Sequence, residues 1–208
     1  MKVVRVEAGA PLCNNYILVN EEIDKGVFID CSGDGMPPII MARRMGIFIS
    51  AVLLTHGHYD HIGGVDAAVE NYYCPIYIHK FDADCLKRPD YNLSARMYQK
   101  NLAVSAKPTL INDGDVIEAA GLKIDVIHTP GHTPGSVCYR IDDYLFTGDT
   151  LFRGSIGADL PPFGDMNMEI DSIRSMLFTI PEDLQCCPGH GMNTTLQREM
   201  KENIYCRL

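Results

Sequence analysis

The sequence predicts an α+β protein in which two β-sheets pack face to face and helices cover their outer surfaces. Three observations indicate this fold class. The chain has 208 residues, 46% of them hydrophobic, which suits one large domain with a sizeable core. Strand-like apolar runs open each half of the chain, and a helical pattern ends each half. No linker-like or low-complexity segment separates the halves, so we expect a single domain over residues 1–208.

The elements of the first half follow from apolar patterning and turn residues. Residues 2–7 alternate as an edge strand does, and the two strands after Pro11 form a hairpin across a polar turn. A proline in the first turn and Gly46 after the end indicate the first helix. The predicted strands are 2–7, 13–19, 26–30, 48–54 and 75–79. The predicted helices are 37–45, 64–72, 81–86 and 93–102.

The second half repeats the same theme. Two strands are joined at Gly121, and a hairpin turns across Asp142 and Asp143. A long loop rich in glycine and proline then precedes an amphipathic helical pattern. The predicted strands are 116–119, 122–127, 137–141, 144–147 and 184–187. The predicted loop is 154–164, and the predicted helices are 166–180 and 194–205.

Composition narrows the classes of function. The formal net charge is −9, which argues against a broad nucleic-acid interface, because phosphate binding draws on lysine and arginine. No apolar run has the length of a membrane span or of a signal peptide. We therefore expect a cytoplasmic protein with no nucleic-acid or membrane partner. None of the eight cysteines forms a Cys-x-x-Cys pair, so we expect reduced, buried thiols rather than a thiolate metal site.

The chain is organised around residues 55–64, which read Thr-His-Gly-His-Tyr-Asp-His-Ile-Gly-Gly and follow the predicted strand 48–54. His56, His58, Asp60 and His61 fall within six positions. Imidazole and carboxylate groups suit zinc, iron or manganese, and they bind at neutral pH with little proton cost. A histidine-rich surface loop is the alternative. Three of the seven histidines lie in this one loop, which favours a metal site.

Three later loops have the same character, and each follows an apolar strand. Gly-His-Thr-Pro-Gly presents His132, Thr-Gly-Asp-Thr presents Asp149, and Pro-Gly-His-Gly presents His190. Their prolines and glycines fix tight turns. Gly-His-Gly alone is typical of a turn. Four strand-end loops that carry histidine and aspartate in one chain predict a shared metal site.

These motifs resemble the metal motif of the metallo-β-lactamase superfamily, over a stretch from about Val3 to Asn203. The resemblance implies an αββα sandwich with two divalent metal ions at one rim, zinc in the first place and iron or manganese as alternatives. It also implies which residues hold each ion. The implied ligands are His56, His58 and His132 for the first ion, Asp60, His61 and His190 for the second, and Asp149 as the bridge.

The loops around His132, Asp149 and His190 look like those of the short, glyoxalase-II-like branch, often described as hydroxyacylglutathione hydrolases. The full-length enzymes of that branch hold glutathione with an added helical region. Only 17 residues follow Gly191 here, so we expect that region to be missing. Ala158 also stands where relatives often have an arginine near the mouth of the site. The best-known zinc lactamases carry cysteine in place of Asp149, so we do not expect antibiotic degradation.

The resemblance implies hydrolysis of thioesters of the S-2-hydroxyacyl-glutathione type as the first hypothesis. A hydroxide that bridges the two metals would attack the carbonyl, and Asp60 or Asp149 would assist the leaving thiolate. A persulfide dioxygenase with a single iron, held by residues that match His56, His132 and Asp149, is the second hypothesis. The third is a metal-binding protein of this fold without turnover. We expect a small-molecule substrate, and a homodimer is left open.

Overall fold

A computed structural model describes all 208 residues, which form two six-stranded sheets and a two-stranded ribbon. The strands are β1 (Lys2–Ala8), β2 (Cys13–Asn20), β3 (Lys25–Ile29), β4 (Phe48–Leu53), β5 (Ile76–His79), β6 (Thr109–Ile111), β7 (Val116–Ala119), β8 (Leu122–His128), β9 (Val137–Ile141), β10 (Tyr144–Gly148), β11 (Leu151–Phe152), β12 (Ser155–Ile156), β13 (Gln185–Pro188) and β14 (Thr194–Thr195). The first sheet has the order β1-β2-β3-β4-β5-β6 and the second β14-β13-β10-β9-β8-β7, while β11 pairs with β12.

Strand direction determines where the polar loops meet. In the first sheet, β3, β4, β5 and β6 run parallel. In the second, β8, β10 and β13 share one direction, because β9 lies antiparallel between β8 and β10 and β13 is parallel to β10. The carboxyl ends of such strands lie at one edge of a sheet, where open sheets bind ligands. All the predicted metal ligands follow the carboxyl ends of β4, β8, β10 and β13.

The alternation of side chains along β2 separates two layers of the core. Ile17 and Val19 pack on the side of the first sheet that faces the helices, and Tyr16 and Leu18 pack between the two sheets. A third cluster lies beneath the second sheet, where Leu145 meets residues of the C-terminal helices. The three layers of apolar packing give four layers of secondary structure. The predicted αββα sandwich is therefore confirmed.

Short helices cover both outer faces. They are α1 (Met36–Arg44), α2 (Tyr59–Ile62), α3 (Val65–Tyr72), α4 (Ser94–Tyr98), α5 (Met166–Ser172) and α6 (Leu196–Glu202), together with a 3₁₀ helix (Lys80–Leu86) and a π-helical turn (Ile173–Leu177) that continues α5. α1 and α3 bury Ile39 and Val65 against the first sheet. None of these helices has the length and apolar character needed to cross a membrane.

The structure differs from the predicted elements in several places. The predicted helix 93–102 covers only Ser94–Tyr98, because Leu93 and Gln99 on either side adopt left-handed conformations, and the ligand loop contains α2. β6 was not predicted, because its three residues are too short to show a pattern and its pairing with β5 defines it. Part of the predicted loop 154–164 is strand β12, which pairs with β11. The last helix is shorter than residues 194–205, because its first two residues form β14 and Asn203 adopts an extended conformation and donates to Ser155 O at 2.9 Å.

Candidate metal centre

The loop after β4 is fixed by a buried carboxylate at the end of β3. Asp30 accepts hydrogen bonds from the Thr55 backbone nitrogen and from its hydroxyl, both at 2.8 Å. His56 follows and is 1% exposed. Gly57 comes next, at a point where a β-carbon would collide with the side chain of Cys85, so only glycine fits there. The backbone path of this loop from β4 into the site is therefore fixed.

Three imidazoles converge at the bottom of the site, and we call His56, His58 and His132 the inner group. His58 Nδ1 lies 3.1 Å from His56 Nε2 and 2.9 Å from His132 Nε2. All three residues are buried. Burial lowers the pKa of each imidazole, and for His58, where the His132 ring adds to the effect, the pKa falls to about 3. Neutral rings leave nitrogen lone pairs available for a cation.

A second set lies beside the first, and we call Asp60, His61 and His190 the outer group. The Nε2 atoms of His61 and His190 are 3.3 Å apart, and His190 Nε2 lies 3.3 Å from Asp60 Oδ2. Burial disfavours charge on His190, but hydrogen bonds to Asp149 and Asp60 raise its pKa to about 10. The carboxylates thus attract positive charge to this point, as they would attract a metal ion.

Asp149 lies between the two groups. Its Oδ1 is 3.3 Å from His61 Nε2, and its Oδ2 is 3.4 Å from His190 Nε2 and 3.8 Å from His132 Nε2. Oδ1 is buried and has no hydrogen-bond partner. An unpaired buried carboxylate oxygen is costly unless a cation faces it. Gly189 is required here as well, because a β-carbon would collide with Asp149 Oδ1.

Hydrogen bonds at the far side of four rings fix the tautomers that a metal site requires. His132 Nδ1 donates to Ala158 O at 3.1 Å, His190 Nδ1 to Leu12 O at 2.6 Å, and His61 Nδ1 to Asp30 Oδ2 at 2.8 Å. The Thr55 hydroxyl gives its proton to Asp30, so it accepts from His56 Nδ1. In each case Nδ1 is the donor, so Nε2 is the ring nitrogen that faces the site.

A second buried carboxylate joins two of the ligand loops. Asp82 is fully buried in the 3₁₀ helix. Its Oδ2 accepts from Gly57 N at 2.8 Å and from Thr133 Oγ1 at 2.7 Å, and its Oδ1 accepts from Gly135 N at 2.7 Å. Gly57 lies between His56 and His58, and Thr133 follows His132. Asp82 therefore holds the loops of the inner group in register with each other.

Comparison with known proteins agrees with this geometry. The family model described as metallo-beta-lactamase superfamily matches residues 9–190. The chain belongs to this superfamily. The structure of the BLEG-1 B3 metallo-beta-lactamase superposes with a TM-score of 0.94 at 32% identity, covering 99% of both chains. TTHA1623 in a di-iron-bound form gives 0.86 at 30% identity, covering 97% of this chain and 99% of that one. Hydroxyacylglutathione hydrolase GloC of Haemophilus influenzae is 28% identical over 92% of each chain.

The chain is thus a metal-dependent hydrolase of the metallo-β-lactamase superfamily. The superfamily binds divalent metals, and the donor set fits such ions: imidazole nitrogens and carboxylate oxygens with their lone pairs directed inward. The same donors accept zinc, iron or manganese, so they do not select the metal.

The structure brings all seven predicted site residues together, with five of them facing one cavity. This cavity has a volume of about 250 Å³ and is floored by His58, Asp60, His132, Asp149 and His190. His56 and His61 lie beneath this floor, buried and in contact with the others. The assignment of each residue to a particular ion stays a prediction.

Three side chains next to the site were not predicted from the sequence. Asp30 ends a buried apolar run, and an acidic residue in that place is a signal that could have pointed to it. Asp82 stands in Lys-Phe-Asp-Ala-Asp, where nothing in the sequence separates it from Asp84. Cys13 Sγ lies 3.5 Å from His61 Nδ1, and burial raises its pKa to about 12, so it is a neutral thiol here. All eight cysteines are free and buried, as expected.

Proposed function

We propose that this chain hydrolyses thioesters of the S-2-hydroxyacyl-glutathione type, with two divalent ions in its site. The inner group would hold one ion, the outer group the other, and Asp149 would contact both. The main support is the convergence of seven imidazole and carboxylate side chains on two adjacent points. The similarity to a protein named hydroxyacylglutathione hydrolase supports the choice of thioesters.

Two ions held there would supply an activated water and would polarise a carbonyl. The chain's own residues supply the rest. Asp60 and Asp149 are the only acids that line the cavity, so they are the groups that can hold a proton beside the reacting carbonyl. His190 lies against both carboxylates, with its Nε2 3.3 Å from Asp60 Oδ2 and 3.4 Å from Asp149 Oδ2. A thiolate leaves readily without a general acid, and the proton that the attacking water releases can pass through Asp60 at the floor of the cavity.

A second candidate, which the sequence did not lead us to expect, is hydrolysis of β-lactams. The specific observation that favours it is the similarity to the BLEG-1 B3 metallo-beta-lactamase, which covers 99% of both chains. The two reactions share the attack of water on a carbonyl, but they differ in the leaving group. A β-lactam releases an amide nitrogen, which must be protonated as it leaves, whereas a thiolate need not be.

The test starts with protein stripped of metal and titrated separately with zinc, iron and manganese. Metal content per chain, hydrolysis of S-D-lactoylglutathione and hydrolysis of a chromogenic cephalosporin are measured at each step. We expect two ions per chain, thioester turnover that follows the second ion, and a sharp loss in Asp60→Ala and His190→Ala. Cephalosporin turnover without thioester turnover would favour the second candidate. One iron per chain with oxygen uptake on a persulfide would favour a dioxygenase instead.

A further inference from the structure

The walls of the site cavity differ in chemistry from its floor. Above the floor, the cavity is lined by apolar and aromatic side chains from four separate segments of the chain. They are Pro11, Leu93, Met97, Tyr98, Phe152 and Leu160. No lysine, arginine, serine, threonine, asparagine or glutamine lines this cavity. All of its charged and imidazole groups belong to the floor.

Three polar groups close to these walls are engaged elsewhere, and Lys100 lines the neighbouring cavity rather than this one. Tyr59, which also lines the cavity, donates its hydroxyl to Ala10 O at 2.9 Å. Arg153 follows Phe152, but its guanidinium contacts Met192 Sδ at 3.6 Å. Arg96 precedes Met97 and donates to Pro161 O at 3.0 Å. The walls therefore offer a ligand apolar contact and no positive charge.

We infer that the site selects thioesters whose acyl group is apolar and uncharged, and that this group packs against Met97, Tyr98 and Leu160. This inference rests on the proposed function, because it names the acyl part of that substrate. The reacting carbonyl and any 2-hydroxyl lie at the polar floor, and the rest of the acyl chain fills the apolar part. A group of the size of a water molecule takes up about 30 Å³, so the cavity of about 250 Å³ holds about eight such groups.

Two opposing free-energy terms give the expected selectivity. Each methylene transferred from water to an apolar wall improves binding by a factor of about four, until the cavity is full. An acyl group that ends in a carboxylate would place its charge among side chains that carry no positive charge and, apart from the Tyr98 hydroxyl, no free hydrogen-bond donor, which is unfavourable. An acyl chain of moderate length is thus favoured over acetyl and over succinyl.

The experiment compares acetyl, butyryl, hexanoyl and succinyl thioesters of glutathione on the metal-loaded protein. We expect kcat/KM to rise about fourfold per methylene up to hexanoyl and to be lowest for succinyl. Leu160→Lys places a cation on the wall and should shift the hexanoyl-to-succinyl ratio of kcat/KM towards succinyl by more than about tenfold. Leu110→Lys is the matched control, because Leu110 is exposed on β6 and should leave the ratio unchanged.

A second measurement does not depend on turnover. Hexanohydroxamate and succinohydroxamate carry the same metal-binding head, and their affinities for the metal-loaded protein are compared by calorimetry. Tighter binding of hexanohydroxamate, lost in Leu160→Lys, supports the apolar acyl site even if no thioester is hydrolysed, in which case only the proposed function fails. Thioester hydrolysis without preference for chain length or charge, together with equal hydroxamate binding, overturns this inference and leaves the proposed function intact.

Discussion

The inner and outer groups contain similar ligands, but they are built with different rigidity. The inner group consists of three imidazoles that are at most 5% exposed; the buried Thr55 hydroxyl supports His56, and the backbone oxygen of Ala158, an exposed residue, supports His132. In the outer group, the side chain of His190 is 27% exposed. Its support is the backbone oxygen of Leu12, a residue that is 64% exposed. Ligands whose supports are rigid lose less freedom when a metal binds.

The two groups also differ in how their loops are joined. Asp82 connects the loop of His56 and His58 to the loop of His132 through three hydrogen bonds. Apart from Asp60 and Asp149, which belong to the site itself, no carboxylate joins the loops of His61 and His190, and of these two histidines Asp30 supports only His61. We therefore expect the inner group to bind the first metal ion and to bind it more tightly than the outer group binds the second.

The largest effect is expected from removing an inner ligand. His58→Ala should lose the inner ion, and turnover of S-D-lactoylglutathione should fall by more than the 10- to 100-fold typical of a lost supporting partner. His190→Ala should keep one ion per chain with an affinity close to that of the inner site. Metal content and calorimetric titration check both variants. Equal loss of both ions from each variant would contradict the difference between the groups.

Asp30→Asn should affect both groups, because its carboxylate supports Thr55 and therefore His56 as well as His61. An amide in place of the carboxylate has only one accepting oxygen, so at least one of these three hydrogen bonds is lost. We expect the affinity of both ions to fall, each about 10- to 100-fold. Two-site titration by calorimetry measures the two constants. A change confined to the second ion would show that His56 does not depend on this support.

Asp82→Asn should weaken the inner ion alone, by about 10- to 100-fold, because Gly57, Thr133 and Gly135 all donate to this carboxylate. Asp84→Asn is the matched control, since it makes the same change two residues away on an exposed side chain. Calorimetric titration gives the dissociation constants of the first and second metal ion. The difference between these two constants should shrink in Asp82→Asn and stay unchanged in the control. An equal response of both variants would mean that Asp82 has no particular role.

Asp30 and Asp82 mark the limit of what the sequence alone predicts. The positions of most strands along the chain and the seven site residues could be predicted because their signals are local. These signals are apolar runs followed by histidine and aspartate beside glycine and proline. Asp30 and Asp82 act across 25 or more positions in the chain, on loops that only the packed sheets bring together. The pairing of β6 with β5 is equally non-local. The walls of the cavity come from four segments, so the apolar acyl site was not visible either. The homodimer stays a prediction.

The smallest effect concerns a buried carboxyl group behind the inner group. Glu169 lies in α5, and its Oε1 accepts from Gly157 N at 2.9 Å, next to the Ala158 carbonyl that supports His132. Its Oε2 is buried without a partner. Burial raises the pKa of Glu169 from 4.5 to about 8, although the hydrogen bond from Gly157 opposes this. The folded protein therefore holds this carboxyl group protonated at neutral pH.

This raised pKa predicts a pH-dependent stability. Between pH 4.5 and about 8 the unfolded chain releases the proton of Glu169 and the folded chain keeps it, so the free energy of unfolding falls as the pH rises. Glu169→Gln is neutral in both states and escapes this loss. In metal-stripped protein, the Tm of Glu169→Gln should equal that of the wild type near pH 4.5. At pH 8 it should be higher by about 2–4 °C for each 1 kcal/mol of unfolding free energy that the wild type has lost. A Tm difference that does not change with pH would show that the carboxyl group is ionised in the folded state, and that the loop behind His132 is held by a charge.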